Sequence, residues 1–167
     1  MEGPMMSDML IKLYALEGDW HFLKEQKKLG IDIRKPIGPE SDVILNWVRT
    51  RFGAGWASET EAAIANKPKS CFVALKKNAI VGFACYDATA LGFFGPTGVE
   101  KAHRQKGTGT ALMTACLLDM QLKGYGYAII GAVENPAYYQ KAVGALEIPD
   151  SSPGIYKNRI KEGQPSV

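Results

Sequence analysis

The 167-residue chain is poor in the residues that build metal centres and covalent staples, with three cysteines and two histidines. An odd number of cysteines argues against a disulfide framework, and Cys71, Cys85 and Cys116 sit in apolar strand or helix patterns. They read as small core residues in a reducing compartment. No His/Cys/Asp/Glu spacing suggests a metal site, so none is expected. Long apolar runs are also missing: the longest span about seven residues, against roughly 18 for a membrane helix. Met1 to Asp8 has no apolar signal core, which makes the cytoplasm the expected location. Charge of a single sign is lacking too. Twenty cations against seventeen anions leave a net charge of +3, too small and too dispersed for a nucleic-acid partner. Repeats and low-complexity tracts are absent. What remains is a chain with an ordinary apolar fraction of 46%, long enough to bury about two thirds of its unfolded surface in one domain.

The pattern along that chain alternates strands and helices. Met9 to Leu16 reads as a strand, and Asp19 as the cap of a helix ending at Gly30. This unit is expected to be an N-terminal addition over residues 1–30, its strand pairing at a sheet edge. Ile31 to Ile37 is the next strand. Pro39 opens a helix that places Val43, Ile44, Trp47, Val48 and Phe52 on one face and stops at Gly53-Ala54-Gly55. Ser58 and Glu61 form a capping-box pattern for a short helix to Asn66. Cys71–Leu75 and Ala79–Tyr86 form a hairpin around Lys76-Lys77-Asn78. A turn at Asp87–Ala90 leads into a strand over Leu91–Val99. Helical spacing then runs from Thr108 to Lys123, closed by Gly124. Tyr127–Val133 is nearly continuous apolar, as in a strand covered on both faces, and a right-handed crossover makes it parallel to Leu91–Val99. Pro136 starts a helix to Val143. Leu146 to Ile160 suggests a final hairpin, and 163–167 a loose tail. The expected fold is α/β (α+β): a mixed central sheet, mostly antiparallel with one parallel pair, flanked by helices.

Residues 99–112, V-E-K-A-H-R-Q-K-G-T-G-T-A-L, hold the strongest chemical signal. Gly107 and Gly109 let the backbone turn so that its N–H groups converge. The helix beginning near Thr108 adds unpaired N–H groups and the positive end of its dipole. With Arg104 and Lys106 alongside, the turn is suited to a phosphate or diphosphate. It is not a P-loop, because no Lys-Ser/Thr follows, and Leu112 stands where a dinucleotide fingerprint needs its third glycine.

The same stretch resembles motif A of the GNAT superfamily of acyl-CoA-dependent N-acyltransferases, V-x-P-x-x-R-x-x-G-x-G/A. Val99, Arg104, Gly107 and Gly109 match, while Lys101 replaces the proline. Asn135 to Ala145 is similar to the family's later helix, with Tyr138 and Tyr139 as its paired aromatics and Lys141 as its lysine. Gln140, Ala145 and a late Gly144 depart from that pattern. Ile31 to Glu40 resembles the opening strand. The likeness covers roughly residues 31–149, and the acyltransferase domain is assigned to 31–162.

The resemblance implies acetyl-CoA as cosubstrate, its diphosphate held by Arg104, Gln105, Lys106, Gly107, Thr108, Gly109 and Thr110. Its pantetheine arm would run along Thr97, Gly98 and Val99, with a backbone N–H near Val99 as oxyanion donor. Tyr139 takes the family's general-acid position. The base is less marked, because Leu91–Val99 carries no acid. Glu134, at the end of the next parallel strand, is the leading candidate, Asp87 the second, and a water relay an equal rival. The acceptor pocket is expected in the link Phe52–Glu61, where Trp56 offers an apolar wall and Glu59 or Glu61 an attraction for a cationic amine. Phe93 and Phe94 point to opposite strand faces, so at most one should line the cleft. The implied activity is direct transfer of an acetyl group to a small or peptide amine. The alternatives are a non-catalytic acyl-CoA sensor and a nucleotide-binding protein of another kind. No membrane partner is expected. Homodimers are common in the family, but no interface is marked in the sequence.

Overall fold

The computed structural model describes residues 6–163. Within these residues seven strands form one sheet: β1 (Met9–Lys12), β2 (Ile31–Arg34), β3 (Cys71–Lys76), β4 (Ala79–Tyr86), β5 (Phe93–Val99), β6 (Tyr127–Ile130) and β7 (Leu146–Glu147). Their order is β2-β3-β4-β5-β6-β1-β7. All neighbours are antiparallel except β5 and β6, which pair in parallel. Among the described residues five α-helices flank the sheet: α1 (Phe22–Lys28), α2 (Ser41–Phe52), α3 (Ala54–Ala65), α4 (Thr108–Leu122) and α5 (Pro136–Val143). This is the expected mixed architecture with a single parallel pair.

Side-chain alternation explains why both faces are covered. Phe72 and Ala74 of β3, with Ala84 and Tyr86 of β4, pack into the core beneath α4. Cys71 and Val73, with Phe83 and Cys85, face Ile44, Trp47 and Val48 of α2 and Ala57 and Ala63 of α3. Helix α4 lies against the sheet with Leu112, Met113, Cys116, Leu117 and Met120 buried. The three thiols are free and buried, in keeping with their reading as core residues.

Several expectations are corrected. The first strand ends at Lys12, because Leu13–Ala15 turns into a short 3-10 segment whose Leu13 N–H bonds Gly126. It is not an edge strand, for β1 lies between β6 and β7. The unit over 1–30 is thereby knitted into the sheet from residue 9 onward; its first five residues lie outside the described part, as does the tail beyond Gly163. Helix α3 begins at Ala54, not Ser58: Gly53, at φ 100°, alone makes the break from α2, and its carbonyl already accepts from Ala57. Strand β5 starts at Phe93 because Asp87 Oδ1 holds the Gly92 N–H at 2.7 Å and prolongs the turn. Strand β6 stops at Ile130, where Ala132 takes a positive φ of 48° and gives its N–H to Asp8 Oδ1. No final hairpin forms: Leu146–Glu147 pairs with β1, and the rest bends through a 3-10 turn at Gly154–Tyr156.

Candidate functional site

The site opens where the parallel pair fails. Strands β5 and β6 pair only at Phe93–Ile129 and Phe94–Ile130, so β5 beyond Phe94 has β4 on one side and, among the described residues, no strand on the other. Gly95 and Pro96 begin this divergence, as residues that weaken a ladder. The Glu100 N–H is given to Val81 of β4, and Gly98 lies opposite Phe83 of β4. Alternation therefore turns the N–H groups of Thr97 and Val99 to the open side. The Val99 carbonyl on that side is taken by Arg104 Nε at 2.9 Å, which leaves its N–H as the available group.

Helix α4 aims its N-terminus at the same space. Gly107 caps it in the left-handed region (φ 75°) with no side-chain partner for the first turn. The N–H groups of Thr108, Gly109 and Thr110 consequently have no intrahelical acceptor. Between them and β5 lies a cavity of about 330 Å³, lined by Thr97, Gly98, Val99, Arg104, Gln105, Gly107, Gly109 and Thr110, with Phe94, Met113, Tyr138 and Tyr139. Two of the residues expected here do not line it. Thr108 is buried at 1% exposure and its hydroxyl donates to Gln26 Oε1. Lys106 presents its carbonyl to Gln26 Nε2 and is likewise absent from the lining.

A wider cleft of about 1180 Å³ continues past Thr97 and the two tyrosines. Its lining includes Trp56, Glu59, Glu134 and Tyr139. Phe93 and Phe94 both border it, contrary to the expectation that only one would. The region Phe52–Glu61 is not a loop, since all but Gly53 is helical. Trp56 stands in the first turn of α3, its ring stacked on Phe52 at 5.1 Å and 37% exposed. Glu59 accepts from Thr89 Oγ1 at 2.5 Å, and Glu134 is exposed at the rim.

The two tyrosines differ in surroundings. Tyr138 shares a 2.6 Å hydrogen bond with Thr110 Oγ1 at the start of α4. Tyr139 lies half-buried with its ring edge-on to Tyr138, at 5.0 Å. Burial raises the Tyr139 pKa, and Tyr138 adds to the rise, so the phenol holds its proton throughout the neutral range. Asp87 is removed as a base. Its carboxylate accepts from the Gly92 N–H and from Tyr125 Oη at 2.6 Å, and it does not border the cleft.

Sequence reasoning missed Gln26, Tyr156 and Arg159. Tyr156 and Arg159 reach the wide cleft from the C-terminal segment, where no periodicity announces them. Burial and the nearby Glu59 carboxylate raise the Tyr156 pKa. Among the described residues no group of side chains is arranged to hold a metal ion, and no helix is long and apolar enough to cross a membrane.

Comparison with known proteins bears on this geometry. Residues 67–142, from before β3 to the end of α5, match the family model for the acetyltransferase (GNAT) domain. No curated protein matches the chain. Among solved structures, it is similar to the GCN5-related glucosamine N-acetyltransferase region of a fungal multi-domain GH3 β-N-acetylglucosaminidase, with a TM-score of 0.71 and 13% identity over 89% of this chain and 20% of that one. It is similar to a GCN5-related N-acetyltransferase from Sphaerobacter thermophilus, with a TM-score of 0.64 and 19% identity over 86% of this chain and 49% of that one. The chain thus spans from a fifth to about half of these proteins' lengths, and at such identities the likeness is one of fold. The match to the acetyltransferase (GNAT) domain model runs through the opened strand and the helix facing it, over somewhat less than half of the chain, and lies within a fold shared with GCN5-related N-acetyltransferases.

Proposed function

We propose that the protein transfers the acetyl group of acetyl-CoA to a primary amine by direct attack within a ternary complex. The observation that carries this reading is the unpaired edge of β5 facing the uncapped start of α4. A thioester donor needs a diphosphate anchor, an extended track for its arm and a hydrogen-bond donor at the reacting carbonyl. The N–H groups at 108–110, with Arg104, Gln105, Gly107, Gly109 and the Thr110 side chain, supply the anchor. Thr97 to Val99 supply the track, and the Val99 N–H supplies the donor. Lys106 and Thr108 contribute through backbone alone, since Lys106 is outside the cavity lining and the Thr108 side chain is turned inward.

Tyr139 protonates the departing thiolate. Its phenol, protonated in the neutral range, gives its proton to the sulfur as negative charge gathers there, and because a phenol is a weaker acid than the thiol it forms, the phenolate is then reprotonated from solvent. An alkyl amine near pKa ~10.4 is about one part in a thousand neutral at pH 7, a cost of roughly 4–5 kcal/mol that a base must relieve. Glu134, acting directly or through water, takes that proton. Trp56 and Glu59 receive the amine, its apolar body against the indole and its ammonium toward the carboxylate. A covalent acyl-enzyme is disfavoured, because burial pushes the Cys85 and Cys116 thiols well above their usual range and neither is exposed.

The exposed position of Glu134 favours one second reading, a domain that binds acyl-CoA without turnover. Thermal-shift ranking of CoA, ATP and NAD, followed by free-thiol release from acetyl-CoA with a panel of amines, tests both. CoA stabilisation with thiol release supports transfer. CoA stabilisation without it leaves the sensor, and stronger stabilisation by ATP or NAD refutes both.

A further inference from the structure

Helix α1 is a charged, solvent-facing helix with one buried residue, and that residue is polar. Gln26 is 5% exposed, while Lys24, Glu25, Lys27 and Lys28 are in solvent. A buried primary amide is costly unless both of its ends are paired. Here both are, and both partners lie in one turn some eighty residues away. Nε2 donates to the Lys106 carbonyl at 3.1 Å, and Oε1 accepts from Thr108 Oγ1 at 2.8 Å.

The consequence follows from peptide geometry. In a planar trans peptide the carbonyl and the next N–H point in opposite directions. Drawing the Lys106 carbonyl back onto Gln26 therefore turns the Gly107 N–H away from Gln26, toward the cavity that Gly107 lines. Holding the Thr108 side chain on the same amide fixes the first residue of α4, and with it the direction of the N–H groups that follow. Gly107 lies over this contact: a Cβ there would stand at ordinary van der Waals distance, 3.6 Å, from Nε2.

We propose that Gln26 is a positioning residue for the diphosphate loop, fixing the peptide plane between Lys106 and Gly107 and the start of α4 so that their N–H groups converge on the cavity. It gives the N-terminal unit a function in donor binding although none of its helix touches the donor. The inference rests on the reading of this cavity as the CoA diphosphate site.

The test compares CoA with pantetheine, which lacks the diphosphate and the nucleotide. Affinities of the full chain for both are measured by ligand-observed NMR, with the melting temperature of each variant recorded without ligand. Gln26→Leu keeps the volume and removes both hydrogen bonds. It is expected to weaken CoA about tenfold and pantetheine less than twofold. Equal weakening of both ligands would mean a general loss of structure and would overturn the proposal, as would unchanged CoA affinity. Should Gln26→Leu fail to fold, Thr108→Val removes the hydroxyl at constant shape and is expected to give the same selective loss, with Thr108→Ser restoring affinity to within twofold. Loss with both Thr108 variants, or with neither, overturns it. An unaltered chain that binds pantetheine but not CoA would instead remove the underlying reading of the cavity.

Discussion

Strands β3 and β4 pair from Cys71–Cys85 to Lys76–Ala79, whereas β5 and β6 pair only at Phe93–Ile129 and Phe94–Ile130. The first junction is closed and apolar on both faces, with Phe83 buried against Trp47, Phe52 and Trp56. The second opens onto polar backbone and two tyrosines. The same chain therefore has a closed ladder that buries its core and an interrupted ladder that opens onto the cavity. In the closed half a residue's value lies in the surface it buries, and in the open half in the direction of an N–H or O–H group. Substitutions should separate along that line.

The largest effect is expected in the closed half. Phe83→Ala should cost about 3–5 kcal/mol of stability, since the ring is fully buried among three other aromatics and leaves a cavity that they cannot fill. Denaturant unfolding would show the loss, while CoA affinity of the folded fraction should stay within about threefold. A large fall in CoA affinity at unchanged stability would erase the distinction between the halves.

Next comes Gly107→Glu in the open half. It forces a side chain into the left-handed region at φ 75° and puts a carboxylate beside the N–H groups that would hold a diphosphate. CoA binding should fall at least about a hundredfold, or roughly 2.7 kcal/mol, with about 1 kcal/mol lost in folding stability. Calorimetric titration measures the first and urea unfolding the second.

Legibility in the sequence does not divide along the line between these two halves. The Cys71–Leu75 and Ala79–Tyr86 hairpin, the long helix after Gly107 and the parallel crossover all follow from periodicity and turn residues, which act locally. The glycine-rich turn ahead of α4 was equally readable, because its glycines mark a sharp turn and a helix start without tertiary knowledge. The Gln26 contact was not, since its two partners lie eighty residues on and a charged helix gives no sign of which side chain it buries. Nor was the start of α3. Gly53, Ala54 and Gly55 look like a linker, yet only Gly53 breaks the helix. The position of β1 inside the sheet depends on pairing with β6 and β7, which no local pattern encodes.

Tyr139→Phe sharpens the comparison from within the open half, by removing one oxygen and little packing. Turnover should fall about tenfold or more with the acceptor that gives the fastest thiol release, while CoA affinity stays within twofold. The raised phenol pKa also predicts that any turnover of the parent protein shows no loss assignable to this group across the neutral range. Activity equal to the parent would move the acid role to Tyr138, whose hydroxyl bonds Thr110.

The smallest effect belongs to the outer margin of the closed half, where Glu40 links β2 to α2. Its carboxylate accepts from Arg34 at 2.8 and 2.6 Å and from the Ile37 N–H at 2.7 Å. These bonds, Arg34 first, hold its pKa down at about 2. A carboxyl depressed on folding adds stability above its unfolded pKa, near 4.3, and loses it as pH falls toward the folded value. Both partners are about a third exposed, so solvent screening limits the contribution to about 1 kcal/mol or less. Glu40→Gln should therefore be less stable than the parent by that amount at pH 7, and the difference should shrink between pH 4.5 and 2. Other carboxylates titrate alike in both proteins and cancel in the difference. Urea unfolding of the pair across that range tests it. A gap that persists at pH 2 would assign the effect to shape instead of charge, while unaltered CoA affinity at pH 7 would keep this margin separate from the cleft.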